Sequence, residues 1–524
     1  RVAATRWRGR GGNATPGNRY TKASIFSPKE YGWPVRIDSH SLPTRKGAYH
    51  KVKGKVRSKF ESVLQLFGPA ESRRRAACEQ TWSRWARLVH ALLGSGGASI
   101  GNKVQILSCG NTAFKKMWDA IDQAKHSIHM ETYILRLDNV GRKTIKHLHE
   151  ALLRGVTVSL MYDSAGSTSV PMLIDPILHS LRANGAKIIE FNPVFPPPWR
   201  RRTHHIFHRN HRKILLVDAT IAFCGGMNIA DEYCGKELGG TGQFHDTHVR
   251  VEGPAAAHFA HVVRDSMREA AWEGFQNGAA AAVAAPPTSS TRYSPFAATP
   301  AVHVKNDDST YIETIIQQLK QGSKRIHNGD LAEGGGEDGV CVQVLAANSW
   351  RNMRQLQKAL RLTIQYSNTR CYITSPYFLP PLSLLRAMTS AAKRGVDVRV
   401  ITSGDLCDVP GAQNASRYIY SKLLTNGVRV YEYQAATLHT KAVCIDAVYS
   451  FLGSFNFDRW SYSRNLEVGV GVLNTAVSQN VEKQFLDNLR NSVEITQDDI
   501  AKASLLQRAW QFTCYMAYSF IVRM

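Results

Sequence analysis

The sequence predicts an α/β protein of two similar halves, each a mostly parallel or mixed sheet flanked by helices, with one active site where the halves meet. Three observations predict it. His211-Arg212-Lys213-Ile214-Leu215-Leu216-Val217-Asp218 and His439-Thr440-Lys441-Ala442-Val443-Cys444-Ile445-Asp446 share the spacing His-x-Lys-x4-Asp. Gly225-Gly226-Met227-Asn228 and Gly453-Ser454-Phe455-Asn456 follow them in register, all 228 residues apart. Strand-like and helix-like patterns also recur in the same order, and Arg154-Gly155-Val156 and Arg394-Gly395-Val396 take equal places in the two series.

Residues 1–60 carry fifteen Lys or Arg against two acids, Glu30 and Asp38, with few periodic apolar positions. That composition fits a basic disordered tail or a targeting segment such as an organelle transit peptide. Over residues 61–100 the spacing turns helical, with Trp82, Trp85, Leu88, Val89 and Leu92 on one apolar face, suited to packing on a core or lying on a membrane. The first half, residues 101–277, reads as strand 103–107, helix 112–124, strand 127–134, helix 141–154 and strand 156–162. Such alternation implies a sheet covered on both faces.

Residues 278–300 are rich in Ala, Pro and Ser, and residues 329–339 in Gly; with a short helix over 311–321 between them, 278–339 reads as a linker. The second half, residues 340–495, repeats the first: strand 341–345, helix 353–366, strand 371–375, helix 382–394, strand 396–402. Residues 496–524 are expected to form a C-terminal amphipathic helix. Its apolar run over 505–522 is interrupted by Gln507, Arg508 and Gln511 and is too short to span a bilayer. It fits either an interfacial helix or one docked on the core.

Composition narrows the class. Among 524 residues, 66 Lys and Arg face 41 Asp and Glu, a formal charge of +25, which favours an anionic partner, a nucleic acid or an acidic membrane surface. Nine cysteines, an odd number without a C-x-x-C pair, argue against a disulfide framework and a zinc ribbon, and are expected as buried thiols in a reducing compartment. No run of 18 uninterrupted apolar residues occurs, so no ordinary transmembrane helix is expected.

Each motif copy reads as a short strand, in which residues two apart share a face, so His and Lys of a copy point the same way. A phosphodiester repels nucleophiles through its charged oxygens, and an alkoxide leaves badly without a proton. A site for it needs cations or donors, a nucleophile and an acid. One half offers one His, one Lys and one Asn; two halves facing each other offer the whole set. A rival is His204-His205-x-x-His208-x-x-His211, which could place imidazoles along a helix for a metal. Arg200, Arg201, Arg202, Arg209 and Arg212 crowd that segment without a nearby acid. It reads better as a loop at a pocket mouth, suited to an anionic head group, and no metal is expected.

The duplicated motif resembles the phospholipase D superfamily. Within it, residues 100–495 are most similar to bacterial-type cardiolipin synthases, through Asn102-Lys103-Val104, Glu131-Thr132-Tyr133, Arg209-Asn210-His211-Arg212-Lys213 and Asp246-Thr247-His248-Val249-Arg250-Val251-Glu252-Gly253-Pro254. Ser375-Pro376-Tyr377-Phe378, Gly427-Val428-Arg429-Val430-Tyr431-Glu432-Tyr433 and Asn465-Leu466-Glu467-Val468 extend the likeness.

The resemblance implies that one His attacks phosphorus to give a phosphohistidine while the other protonates the departing alcohol and then activates the incoming hydroxyl. The usual order makes His211 the nucleophile and His439 the acid and base, their pKa values pushed apart. Lys213, Lys441, Asn228 and Asn456 would hold the phosphoryl oxygens, with Ser454 as a further donor that Gly226 does not match. Asp246 and Glu467 would each accept a hydrogen bond from the catalytic His of its own half. Asp218 and Asp446 are expected to act structurally through local bonds.

The implied activity is phosphatidyl transfer forming cardiolipin from phosphatidylglycerol, without metal or organic cofactor. The implied partners are an anionic phospholipid and a membrane surface, and the expected location is membrane-associated, mitochondrial, or else plastid or bacterial inner membrane. Hydrolysis to phosphatidic acid is the first alternative. A nuclease ranks below it, because nucleases of the superfamily are often single-motif dimers without a lipid-facing tail.

Overall fold

The computed structural model describes residues 97–167, 175–194, 207–276, 337–347 and 354–523, with Trp85, Leu88 and Gln317. The basic segment 1–60, nearly all of the linker and the histidines at 204 and 205 lie outside the described residues. The first half runs β1 (Ala98–Leu107), α1 (Gly110–Asp122), β2 (Ser127–Thr132), α2 (Asn139–Leu153), β3 (Thr157–Asp163), α3 (Pro176–Ala183) and β4 (Lys187–Phe191). It continues with β5 (Ile214–Val217), β6 (Ile221–Gly225), β7 (Phe244–His245), β8 (His248–Glu252) and α4 (Ala255–Gln276).

The second half repeats the order: β9 (Glu337–Ala347), α5 (Arg354–Tyr366), β10 (Arg370–Thr374), α6 (Leu382–Lys393), β11 (Asp397–Ser403), α7 (Pro410–Thr425) and β12 (Arg429–Tyr433). Then come β13 (Thr437–Leu438), β14 (Ala442–Ile445), β15 (Tyr449–Gly453), α8 (Arg459–Ser463), β16 (Glu467–Leu473), α9 (Thr475–Arg490), β17 (Ser492–Ile495), α10 (Gln497–Lys502) and α11 (Leu505–Arg523).

The repeated Arg-Gly-Val triplets are helix terminators. Gly155 and Gly395 follow α2 and α6 at φ +86° and +89°, a region that disfavours a Cβ. The N–H of Gly155 bonds Leu152 O and that of Val156 bonds Ala151 O, and Gly395 and Val396 repeat the pattern on Ala392 and Ala391. This paired closure satisfies the last helical carbonyls and turns the chain straight into the next strand.

The motif aspartates are hairpin residues. Asp218-Ala219 and Asp446-Ala447 all have φ between +49° and +54°, as the central pair of a tight hairpin turn requires, and Thr220 N–H to Val217 O and Val448 N–H to Ile445 O close the turns. Asp218 also accepts the N–H groups of Lys125, His126 and Ser127 at 2.9, 2.8 and 2.8 Å. Asp446 accepts those of Asn368, Thr369 and Arg370. Each ties its hairpin to the start of a parallel strand.

Fifteen strands form one sheet in the order β17-β12-β11-β10-β14-β15-β16-β9-β1-β8-β6-β5-β2-β3-β4. The sheet is mixed: β2-β3-β4 and β10-β11-β12 pair in parallel, while the remaining neighbours are antiparallel. The halves share this one sheet, since β1 pairs with β9, and β9 with β16. Alternation along the strands divides the core. Leu215 and Val217 enter the first half's cluster under α1 and α2, while Ile214 and Leu216 join a cluster spanning both halves under α4 and α9.

Trp85 is buried in the second half's core and stacks on Tyr449 with centroids 5.3 Å apart, so at this position the apolar face of residues 61–100 packs on protein. Eight cysteines are described, all free thiols and five of them buried.

Candidate active site

The two motif histidines do not lie in strands. β5 and β14 begin at Ile214 and Ala442, and the His-x-Lys triplets precede them. Their backbones reach across to the other half instead. His211 N–H donates to Leu466 O at 3.0 Å and Leu466 N–H to Arg209 O at 2.9 Å. In the mirror-related place β13 pairs in parallel with β7, and His439 N–H donates to His245 O at 2.8 Å. The fully buried Arg212 adds a clamp, its guanidinium donating to Ala347 O at 3.0 Å and to the backbone of Glu467 at 3.4 Å.

This pairing decides which acid meets which imidazole, because the residue after Leu466 is Glu467 and the residue after His245 is Asp246. His211 Nδ1 lies 3.0 and 3.1 Å from the two carboxylate oxygens of Glu467. His439 Nδ1 lies 2.6 Å from Asp246 Oδ2. The acids are therefore exchanged between the halves, which corrects the same-half assignment. With Nδ1 of each ring engaged, Nε2 is the nitrogen left for chemistry.

Both rings line one cavity of about 660 Å3, with Asn228, Asn456, Tyr133 and Tyr233 in its wall. Tyr133 meets His211 edge-on at 5.0 Å, and Tyr233 meets His439 edge-on at 5.3 Å. Lys213 Nζ bonds His211 O at 2.8 Å, and Lys441 Nζ lies 2.8 Å from His439 Nδ1. His and Lys of each copy are thus adjacent, as expected, although the strand argument is not the reason. Asn228 is braced, donating to Tyr233 OH at 2.7 Å and accepting from Ile134 N–H at 3.0 Å. The buried carboxamide oxygen of Asn456 has no hydrogen-bond partner among the described residues, and the residue lines the cavity.

Ser454 is not an open donor. Its hydroxyl bonds the Glu467 carboxylate, and it accepts Val468 N–H at 3.1 Å; it fixes the acid and does not extend toward the cavity wall. Gly226 is the matching position, and a Cβ built there would fall 2.2 Å from Asp246 Oδ1 and 2.5 Å from Oδ2. The Asp246 carboxylate fills the space that a serine side chain would need.

Electrostatics push both imidazoles the same way. Burial lowers the pKa of His211, the Glu467 carboxylate opposing it; burial and then the Lys441 ammonium hold His439 well below its ordinary value. Burial and a neighbouring ammonium act on both rings. The same crowding drives Lys213 well down and Lys441 down to about 8, again chiefly through burial. Both lysines are buried and neither lines the cavity.

Several wall residues were not singled out from the sequence as site residues. Tyr377 donates to Asp408 at 2.6 Å beside His439. Asp458, raised to about 7 by burial, caps α8 through Ser461 N–H at 2.6 Å and meets Tyr518 of α11. Single Asp and Tyr residues in loops carry no periodic signal that would mark them. His208 Nδ1 lies 2.6 Å from Arg464 O, and the other histidines of that run, at 204 and 205, lie outside the described residues. Among the described residues, one group of side chains lies within metal-binding reach of one another, Asp122, His147 and Glu150, and none lines the cavity.

Two motif-bearing halves with a shared cavity define a phospholipase D-like fold. The sequence profile "Cardiolipin synthase, PLD-like domain" matches residues 117–250 and again 360–489. The chain belongs to that family. It is 28% identical over 407 residues to a cardiolipin synthase of Clostridium perfringens, covering 78% of this chain and 74% of the relative. It is 29% identical over 429 residues to a cardiolipin synthase of Halalkalibacterium halodurans, covering 82% and 74%. The crystal structure of a phosphatidylserine synthase from Haemophilus influenzae superposes with a TM-score of 0.55 at 12% identity, over 83% of this chain and 99% of that one, a likeness of fold.

Proposed function

We infer that the protein is a phosphatidyltransferase that makes cardiolipin from phosphatidylglycerol. The observation that carries the reading is the exchanged pair of carboxylate-bound imidazoles on one cavity. His211 Nε2 attacks phosphorus and the bond from phosphorus to the glycerol oxygen breaks. The negative charge of the bound phosphate favours the imidazolium of His439, which gives that oxygen a proton, so glycerol departs and phosphatidyl remains on His211. His439, now neutral, takes the proton of the terminal hydroxyl of a second phosphatidylglycerol. The resulting oxygen attacks phosphorus and frees His211.

Glu467 and Asp246 hold the rings in the tautomer that leaves Nε2 toward the cavity. In this reading the Lys213 and Lys441 ammonium groups supply positive charge beside the two histidines, and the amide of Asn456, which lines the cavity, donates to an equatorial oxygen. The substrate is an anionic phospholipid, and the enzyme works at a membrane surface.

The test is incubation with phosphatidylglycerol alone, followed by lipid separation and glycerol measurement. Cardiolipin and glycerol in equal amounts are expected. Phosphatidic acid without cardiolipin would replace the reading by hydrolysis. His211→Ala and His439→Ala should each abolish turnover.

A further inference from the structure

The terminal helix α11 is built inside out. Its inward face carries Gln511, Cys514, Tyr515, Tyr518, Ser519 and Val522, spaced for one helical stripe. That face is held by polar bonds: Arg459 donates to Tyr515 OH at 2.8 Å and to Ser519 Oγ at 3.0 Å, and Trp460 N–H donates to Tyr518 OH at 3.3 Å. The outward stripe is apolar. Leu506, Trp510, Met516 and Phe520 are 83%, 58%, 49% and 65% exposed. Ordinary amphipathic packing would bury these and wet the tyrosines, so the face is made for a non-aqueous partner.

We propose that this outward face of α11 seats the enzyme on the leaflet of an anionic bilayer and brings the cavity mouth to the lipid. Two features select a bilayer. Tyr518 and Trp460, where α11 docks, line the cavity, and the half-exposed Val409 stands on the same wall. A two-tailed substrate, the premise taken from the proposed function, then enters without its chains crossing water. The charge also matches: α11 contains Arg508 and Arg523 and no acid. A helix lying in the interface with a tryptophan and basic residues binds through buried apolar area plus attraction to anionic lipid. At 19 residues, and with no described helix long and apolar enough to cross a membrane, α11 lies on the surface.

The test uses the full chain and vesicles of phosphatidylserine with phosphatidylcholine, floated at about 0.5 M salt. There the Debye length is only roughly 4 Å, so the basic residues 1–60 contribute little. Wild type should float, and Trp510→Glu with Phe520→Glu should lose at least tenfold in binding with an unchanged melting curve. The double variant should keep its turnover of dispersed short-chain phosphatidylglycerol within about twofold while losing at least tenfold on vesicles. Flotation equal to wild type overturns the proposal. So does a wild type that does not float but is an oligomer which the double variant dissolves, since a second copy would then cover the face. Vesicle binding needs no turnover, so its failure is distinct from failure of the transferase reading.

Discussion

Replacing Gly226 with serine would install the residue that the second half carries at Ser454, and by sequence it adds a donor where one is missing. The structure requires the opposite outcome. The new Cβ would stand 2.2 Å from Asp246 Oδ1 and 2.7 Å from Cγ, a separation that real atoms do not hold, and Gly226 has no positive φ to complicate the comparison. The acid must swing away, and its 2.6 Å bond to His439 Nδ1 in the other half breaks. A hydrogen bond to a charged group is worth about 1.5–3 kcal/mol, and 1.4 kcal/mol is tenfold, so kcat should fall by roughly 10- to 150-fold.

Turnover of phosphatidylglycerol by purified wild type and G226S is the assay, with the thermal midpoint measured alongside. Adding Asp246→Ala to G226S removes the clash and the acid together, and should be no slower than Asp246→Ala alone. Turnover by G226S at or above wild type would refute the reasoning, because Asp246 would then not occupy that space or not serve His439.

The exchanged acids predict that Asp246→Asn changes the imidazole titration of His439 and Glu467→Gln that of His211, as followed by NMR of labelled histidine; same-half effects would contradict the geometry. Lys441, lowered to about 8, acts as an ammonium, so kcat/KM should fall as pH rises through about 8, where the free enzyme loses that proton. Lys441→Arg, which keeps its charge, should remove this alkaline limb even if slower, and a flat wild-type profile from pH 7 to 10 would count against the role. Asp218→Ala removes three backbone acceptor bonds and should lower stability by about 1–3 kcal/mol in denaturant unfolding, with the turnover of the folded fraction little changed.

The sequence by itself determined the repeat, most elements to within a few residues, and the histidines, lysines and asparagines that recur 228 residues apart. These follow from local rules: periodicity places helices and strands, Gly155 and Gly395 end helices, and Asp218 and Asp446 turn hairpins, all through contacts near in the chain or fixed by the hairpin. Only the tertiary structure decided what crosses between halves. Glu467 serves His211 because Leu466 pairs with the segment before β5, and Asp246 serves His439 because β7 pairs with β13. The tail gave its periodicity but not its sense, since a stripe of tyrosines and a stripe of Leu, Trp and Phe can each face inward. The polar partners offered by Arg459 and Trp460 set the choice. Spacing along a chain fixes which residues share a face, whereas which face or partner they meet depends on strands brought together from positions more than 190 residues apart.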